Sequence, residues 1–333
     1  MKKGLFWQRE GERVRCQLCP HSCLLAAGQR GMCFGRENRE GELLAATYGR
    51  VSSCAVDPVE KKPLYHFFPG SLVLSVGTVG CNFSCCFCQN WHISQQEAPT
   101  EYMSPERLVE LALEVKARDP RVVGIAYTYS EPLVWYEYVK EAASLAKKEG
   151  LVNVLVTNGF INPEPLRELL PFISAANLDL KAAGDAFYRK YCGGNSQAPK
   201  EAAKLLREKC HLEITTLLIT GLNDSAEEVG ALVDWIAEEL GEDVPLHLSR
   251  YFPNYKLTLP PTPIETMRQA KEIAQKKLRY VYLGNIGIEN TYCPYCSEVV
   301  VIRQRQVKVN LAEGKCPGCG RLLPIVSMKE DQG

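Results

Sequence analysis

Residues 71–90 read SLVLSVGTVGCNFSCCFCQN. The first ten are apolar and β-branched enough for a buried strand. Four cysteines then crowd into eight positions: Cys81, Cys85, Cys86 and Cys88. Cys81-x3-Cys85-x2-Cys88 places three thiolates in one short loop at a strand end. Soft thiolates suit zinc, copper(I) or iron–sulfur clusters. A structural zinc takes four protein ligands, and a 4Fe-4S cubane usually does as well. Three thiolates leave one corner of a cubane open to another molecule. Cys86 adjoins Cys85, and neighbours on a tight loop point apart, so it reads as a non-ligand. The alternative is a zinc site with Cys86 as fourth ligand.

Beyond this loop the chain alternates. Apolar runs recur at 121–129, 151–159, 175–181, 211–219, 243–249 and 279–285. Amphipathic segments separate them near 104–118, 132–149, 163–170, 198–209, 225–240 and 263–277. SPERLVELALEVKA opens with Ser104 as N-cap and Pro105 at the first helical position. Such alternation predicts an α/β fold, a partial TIM-type barrel of parallel strands covered by helices. Functional residues then belong at the C-terminal strand ends. Cys81 follows the first strand, Glu131 the second and Asn158 the third. Asp179 and Lys181 close the fourth, and His247 the sixth.

Composition argues against a nucleic-acid or membrane binder. Lys+Arg and Asp+Glu each number 39, so no global basic field attracts nucleic acid. No apolar run reaches the roughly eighteen residues of a membrane span. The N-terminus lacks a signal-peptide pattern. Fifteen cysteines, most in tight groups, predict metal sites in a reducing cytoplasm rather than disulfides. Cys54, Cys192 and Cys210 lie outside the groups.

Two further cysteine groups flank the barrel, giving metal-binding appendages at 1–70 and 286–333 around a core at 71–285. CPYC (Cys293, Cys296) and CPGCG (Cys316, Cys319) are separated by 19 residues. They suit a zinc ribbon whose intervening VVVIRQ and VKVNL form a hairpin; a rubredoxin-like iron has the same ligand set. Cys16, Cys19, Cys23 and Cys33 form the N-terminal group. It suits zinc or a second Fe-S cluster, and His21 could replace one ligand.

The cysteine motif, with Phe87 before its last cysteine, resembles the signature of radical S-adenosylmethionine enzymes. That resemblance covers most of 71–285. It implies a 4Fe-4S cluster on Cys81, Cys85 and Cys88, with S-adenosylmethionine on the free iron. Electron transfer then cleaves the sulfonium and yields a 5′-deoxyadenosyl radical. Glu131 stands where the family contacts the methionine amino group, although the glycines usual there are replaced by Tyr129 and Ser130. Thr157-Asn158-Gly159 and Asp179-Leu180-Lys181 resemble the glycyl-radical activase branch, in which Asn158 would meet the methionine part, Asp179 the ribose and Lys181 the carboxylate. His247 matches a histidine near the ribose. Each residue also has a plain reading: Glu131 a helix cap, Asp179 and Lys181 a pair on one strand face, His247 a core histidine. Tyr127 and Tyr129 read as packing.

CQLCPHSCLLAAGQRGMC, TYGRVSSCAVDPVEKKPLYHFFPG and GNIGIENTYCPYC resemble the radical enzymes of the AmmeMemoRadiSam system, similar to pyruvate formate-lyase activating enzymes. The resemblance implies a one-electron donor of flavodoxin or ferredoxin type. A protein substrate is the first reading; RNA or a small metabolite are alternatives, as is a non-enzymatic zinc scaffold. Lys61, Lys62 and His66 are candidates for closing over the site, or for a solvated loop.

Overall fold

The computed structural model describes residues 2–327. Its centre is a sheet of eight strands: β1 Ser53–Pro58, β2 Leu72–Gly77, β3 Val122–Tyr127, β4 Val152–Thr157, β5 Ala175–Asp179, β6 His211–Leu218, β7 Leu246–Arg250 and β8 Val281–Gly284. Strands β2 to β8 lie side by side in chain order and all run parallel. The sheet is open, since β1 and β8 are its two edges. Each parallel crossover carries a helix: α1 Pro105–Arg118, α2 Tyr136–Lys148, α3 Pro163–Leu169, α4 Gln197–Lys209, α5 Ala226–Glu239 and α6 Ile264–Ala274. The expected alternation is therefore present element by element.

Local chemistry explains the helix starts. Ser104 Oγ accepts from the Arg107 amide at 3.2 Å, and Ser225 Oγ from the Glu228 amide at 3.2 Å. Such caps contribute about 1 kcal/mol each. Packing outweighs them: α5 buries Val229, Leu232, Val233 and Ile236, and each such side chain contributes roughly 1.5–3 kcal/mol.

The two faces of the sheet follow the period of two. Leu74, Val76, Ile125, Tyr127, Leu155, Leu178, Ile214, Leu246 and Leu248 pack outward beneath the helices. The inner face is split by depth. Its lower part packs against residues 59–68, with Val59, Leu64 and Phe67 meeting Val73, Ala126, Val154 and Ala175. This segment plugs the concave side of the sheet, and Asn177 Nδ2 donates to the Pro63 carbonyl at 2.8 Å. The upper part of the inner face is left for a cavity.

One difference from expectation concerns β1. It lies in the segment assigned to the N-terminal appendage, yet it pairs antiparallel with β2. Asp57 and Pro58 thereby join the sheet at its edge, and Asp57 reaches the cavity. The rest of the N-terminal region forms two small sheets, Lys2–Lys3/Glu42–Ala45/Arg36–Arg39 and Trp7–Glu10/Arg13–Cys16/Leu24–Leu25. At the C-terminal side the expected hairpin is present, Val299–Arg303 against Val307–Val309. Among the described residues no helix is long and apolar enough to cross a membrane.

Candidate functional site

A cavity of about 540 Å³ opens at the C-terminal ends of the parallel strands. That size suits a cofactor or small ligand. Cys81, Cys85 and Cys88 line it together with Glu131, Asn158, Asp179 and Lys181. Cys86 does not line it; its amide donates to the Tyr191 carbonyl at 3.1 Å and its carbonyl accepts from the Lys256 amide at 2.9 Å. His247 does not line it either. On an inward-facing row, Ser249 reaches the cavity while His247 sits two residues deeper. There His247 Nε2 meets Glu213 Oε2 at 2.6 Å, and its ring faces Tyr65 and Tyr282. A larger depression, about 660 Å³, lies on the outer surface around Lys276–Arg279 and contains no cysteine.

Two of the three thiols have hydrogen-bond partners at the sulfur. Cys81 Sγ accepts from the Phe83 amide at 3.3 Å and from Asn158 Nδ2 at 3.5 Å. Cys88 Sγ and Ser94 Oγ are 3.1 Å apart. Burial pushes the Cys81 thiol well above its ordinary value, with Glu131 adding to the rise. A buried thiol of that kind ionises readily only when a metal takes the proton's place. The donor set, three soft sulfurs lining one cavity, therefore fits an iron–sulfur group with one open corner.

Glu131 links the strand ends. One carboxylate oxygen accepts from Thr157 Oγ1 at 2.6 Å and from the Leu133 amide at 3.0 Å; the other accepts from the Asn158 amide at 2.8 Å. Glu131 thus caps the turn that follows it and lines the cavity as well. Burial lifts its pKa to about 7, against these three donors. A cation placed in the cavity would favour the ionised form. Lys181 Nζ sits 3.2 Å from Asp179 Oδ2. Burial lowers the Lys181 pKa, but Asp179 and the thiols of Cys85 and Cys192 outweigh that and raise it overall.

Opposite lies Asp57, which the sequence does not mark, together with Lys62, which it does. Asp57 Oδ2 accepts from Tyr129 OH at 2.8 Å and from Lys62 Nζ at 2.9 Å, and Lys62 also lies over the Tyr129 ring. Tyr129 adopts φ 71°, a left-handed backbone that costs on the order of 1 kcal/mol in a non-glycine residue. It lines the cavity instead of serving only as packing. Burial raises Asp57, yet Lys62 and Tyr129 hold it well below the usual carboxylate range. Thr215, Ser249 and Asn285 complete the rim. The period of two would have put Thr215 and Ser249 on the inner face, but it does not give depth.

All fifteen cysteines are free thiols. Cys293, Cys296, Cys316 and Cys319 have all four sulfurs within 4.8 Å of one another, the one such group of donors among the described residues. The Cys293–Cys319 and Cys296–Cys316 separations are 3.6 and 3.5 Å. A tetrahedral zinc with bonds of about 2.3 Å sets its sulfurs about 3.8 Å apart. The quartet therefore fits one tetrahedral ion. Cys16, Cys19, Cys23 and Cys33 line a separate enclosed cavity with His21 and Arg36.

Comparison with known proteins agrees with this geometry. The model of the Radical SAM superfamily matches residues 75–236, spanning β2 to most of α5. An uncharacterised protein of Methanocaldococcus jannaschii is 40% identical over 98% of this chain and 100% of its own length. Pyruvate formate-lyase 1-activating enzyme of Escherichia coli strain K12 is 24% identical over 59% of this chain and 86% of its length. Among solved structures, a radical SAM methyltransferase from Sphaerobacter thermophilus superposes with TM-score 0.51 at 17% identity, covering 65% of this chain and 67% of that one. Streptococcus suis SuiB gives TM-score 0.51 at 17% identity, over 69% of this chain and 52% of that one. Those two likenesses speak for the fold alone. With a relative aligned along its whole length and a family model lying across β3 to β6 and the cysteine loop, the chain belongs to the radical SAM superfamily, whose members carry a 4Fe-4S cluster and use S-adenosylmethionine.

Proposed function

We propose that this chain is an activating-enzyme-like radical SAM oxidoreductase of the AmmeMemoRadiSam type, acting on a protein. One observation carries the reading: three thiols and Glu131, Asn158, Asp179 and Lys181 line one cavity, while Cys86 is turned away from it. Cys81, Cys85 and Cys88 would hold the 4Fe-4S cluster. Bound together, cluster and S-adenosylmethionine supply one-electron cleavage of a sulfonium and a radical able to take a hydrogen atom. Glu131 receives the ammonium of the methionine part. Asn158 is held by its own amide on Glu131 and by Nδ2 on Asn82 Oδ1 at 3.0 Å, which orients it toward the same part. Asp179 suits ribose hydroxyls and Lys181 a carboxylate. His247 acts from below, through Glu213 and Tyr65, as a positioning residue. The C-terminal quartet holds a structural zinc. The electron comes from a flavodoxin- or ferredoxin-type carrier in the cytoplasm. The chain divides into 1–70, 71–285 and 286–333, with β1 as the N-terminal region's contribution to the sheet.

The protein substrate is supported by likeness to activating enzymes. Zero net charge gives no field for RNA. Incubation of the reduced enzyme and S-adenosylmethionine with candidate proteins tests the reading. It predicts a carbon-centred radical, or a new covalent modification, on one such protein. Turnover of a small metabolite by the isolated enzyme at the same rate would overturn it.

A further inference from the structure

We infer that Cys16, Cys19, Cys23 and Cys33 hold a second iron–sulfur cubane, not a zinc ion, and that it hands its electron to the group bound at Cys81, Cys85 and Cys88. The first half rests on the N-terminal region alone; the second rests on the proposed function.

Size speaks first. The four thiols line one small enclosed cavity. At a mononuclear zinc site the sulfurs lie about 3.8 Å apart. Among the described residues no three thiols of the N-terminal group lie within 4.8 Å of one another, so they stand further back than a zinc's ligands do. The C-terminal quartet is the one group of donors among the described residues with mutual spacings under 4.8 Å. A cubane places an iron between each thiolate and the centre and spreads its ligands in this way. Two cysteine quartets in one chain thus have two different gauges.

Charge speaks second. Arg36 is 1% exposed and lines the same cavity. Its Nη1 donates to Glu137 Oε1 at 2.6 Å, but Nε and Nη2 have no partner. Glu137 answers its charge, but two buried donors stay unpaired, and acceptors on a group bound in the cavity would satisfy them. A cubane with four thiolates carries net negative charge and adds inorganic sulfides as acceptors. His21 is excluded as the ligand through Nε2, because that nitrogen donates to the Asn82 carbonyl at 2.7 Å.

Proximity gives the site its use. A Cβ added at Gly80 would fall 2.1 Å from the Cys33 carbonyl oxygen, so the backbones before Cys81 and at Cys33 touch. Gly80 has φ 98°, and no side chain fits between them. Asn82 lines the N-terminal cavity and also donates to the Phe160 carbonyl and accepts from Asn158. One electron enters from a reduced carrier protein and one electron leaves toward the Cys81 loop; no bond or proton moves.

The test is metal and spin counting on the full chain, purified and reconstituted without oxygen. The wild type is expected to hold about eight irons and about one zinc. A Cys81→Ala/Cys85→Ala/Cys88→Ala variant is expected to keep about four irons and, on reduction, a cluster signal that S-adenosylmethionine does not alter. A wild type with about four irons and two zincs, and a triple variant that is colourless, would overturn the inference. If the wild type holds about four irons that survive the triple substitution, the N-terminal assignment stands and the proposed function fails. For the relay, Cys16→Ser/Cys33→Ser should slow carrier-driven cleavage on the order of tenfold while dithionite-driven cleavage holds. Equal slowing or none with both reductants would sink the relay.

Discussion

Arg303, in the C-terminal hairpin, donates to the backbone carbonyl of Tyr65 and lays its guanidinium 4.2 Å from the centre of the Tyr65 ring. Tyr65 belongs to the plug that fills the lower bore of the sheet. The same plug is pinned by the Val326 amide, which donates to the His66 carbonyl at 2.7 Å, and by the Phe68 amide, which donates to Val326 at 2.7 Å. The C-terminal module thus braces the segment that brings Lys61, Lys62 and Pro63 to the cavity.

Loosening the C-terminal quartet should therefore be felt at the plug. In Cys293→Ser/Cys316→Ser, amide exchange at residues 65–68 is expected to accelerate while the amides of β4 and β5 stay protected. Unchanged protection at 65–68 would show that the hairpin does not brace the plug.

Glu213 is the second anchor. This fully buried carboxylate accepts from the Tyr65 amide at 3.0 Å, the His66 amide at 2.7 Å, His211 Nε2 at 3.0 Å and His247 Nε2 at 2.6 Å. Burial raises its pKa, but His211 and His247 outweigh this and hold it far down. Glu213→Ala orphans four donors at once. Thermal or denaturant unfolding should show a loss on the order of 3 kcal/mol. A loss below about 1 kcal/mol would mean that water replaces the carboxylate.

Glu131 sets a pH dependence. Its pKa, lifted by burial to about 7, leaves it protonated in the empty cavity at lower pH and ionised at higher pH. Ionising it costs the ligand-free fold, whose contribution from this group is full below 4.5 and lost as pH rises through about 7. An ammonium in the cavity reverses the preference. S-adenosylmethionine affinity should rise as pH goes from 6 to 8, by up to about tenfold per unit below the pKa. Glu131→Gln should bind more weakly and lose that slope; an unchanged slope would place the titrating group elsewhere.

The cysteine loop separates its own members. Cys86→Ala should retain the iron of the wild type, whereas Cys81→Ala, Cys85→Ala or Cys88→Ala should each lose about four irons. Loss on Cys86→Ala with retention on Cys88→Ala would reverse the ligand assignment.

Much of this was legible in the chain itself. The alternation of β-branched runs with capped amphipathic segments led directly to β2–β8 and α1–α6, because each strand turns an apolar face to the helices that cover it. The strand-end rule located Cys81, Glu131, Asn158, Asp179 and Lys181 at one cavity. It failed to resolve depth: His247 and Ser249 share a face, and only the packing of Tyr65 and Glu213 shows which one lies beneath. Asp57 gave no signal, since its strand enters antiparallel from outside the repeating pattern. Nor does spacing separate the gauges of the two outer quartets; the fold sets how far Cys16 stands from Cys33.

The central claim is an iron–sulfur group with one open corner for S-adenosylmethionine. Its most direct measurement is electron paramagnetic resonance of the anaerobically reconstituted, reduced protein before and after S-adenosylmethionine is added. A shifted cluster spectrum, lost in Cys85→Ala, is the result expected. A spectrum indifferent to S-adenosylmethionine, with no 5′-deoxyadenosine formed, would contradict it.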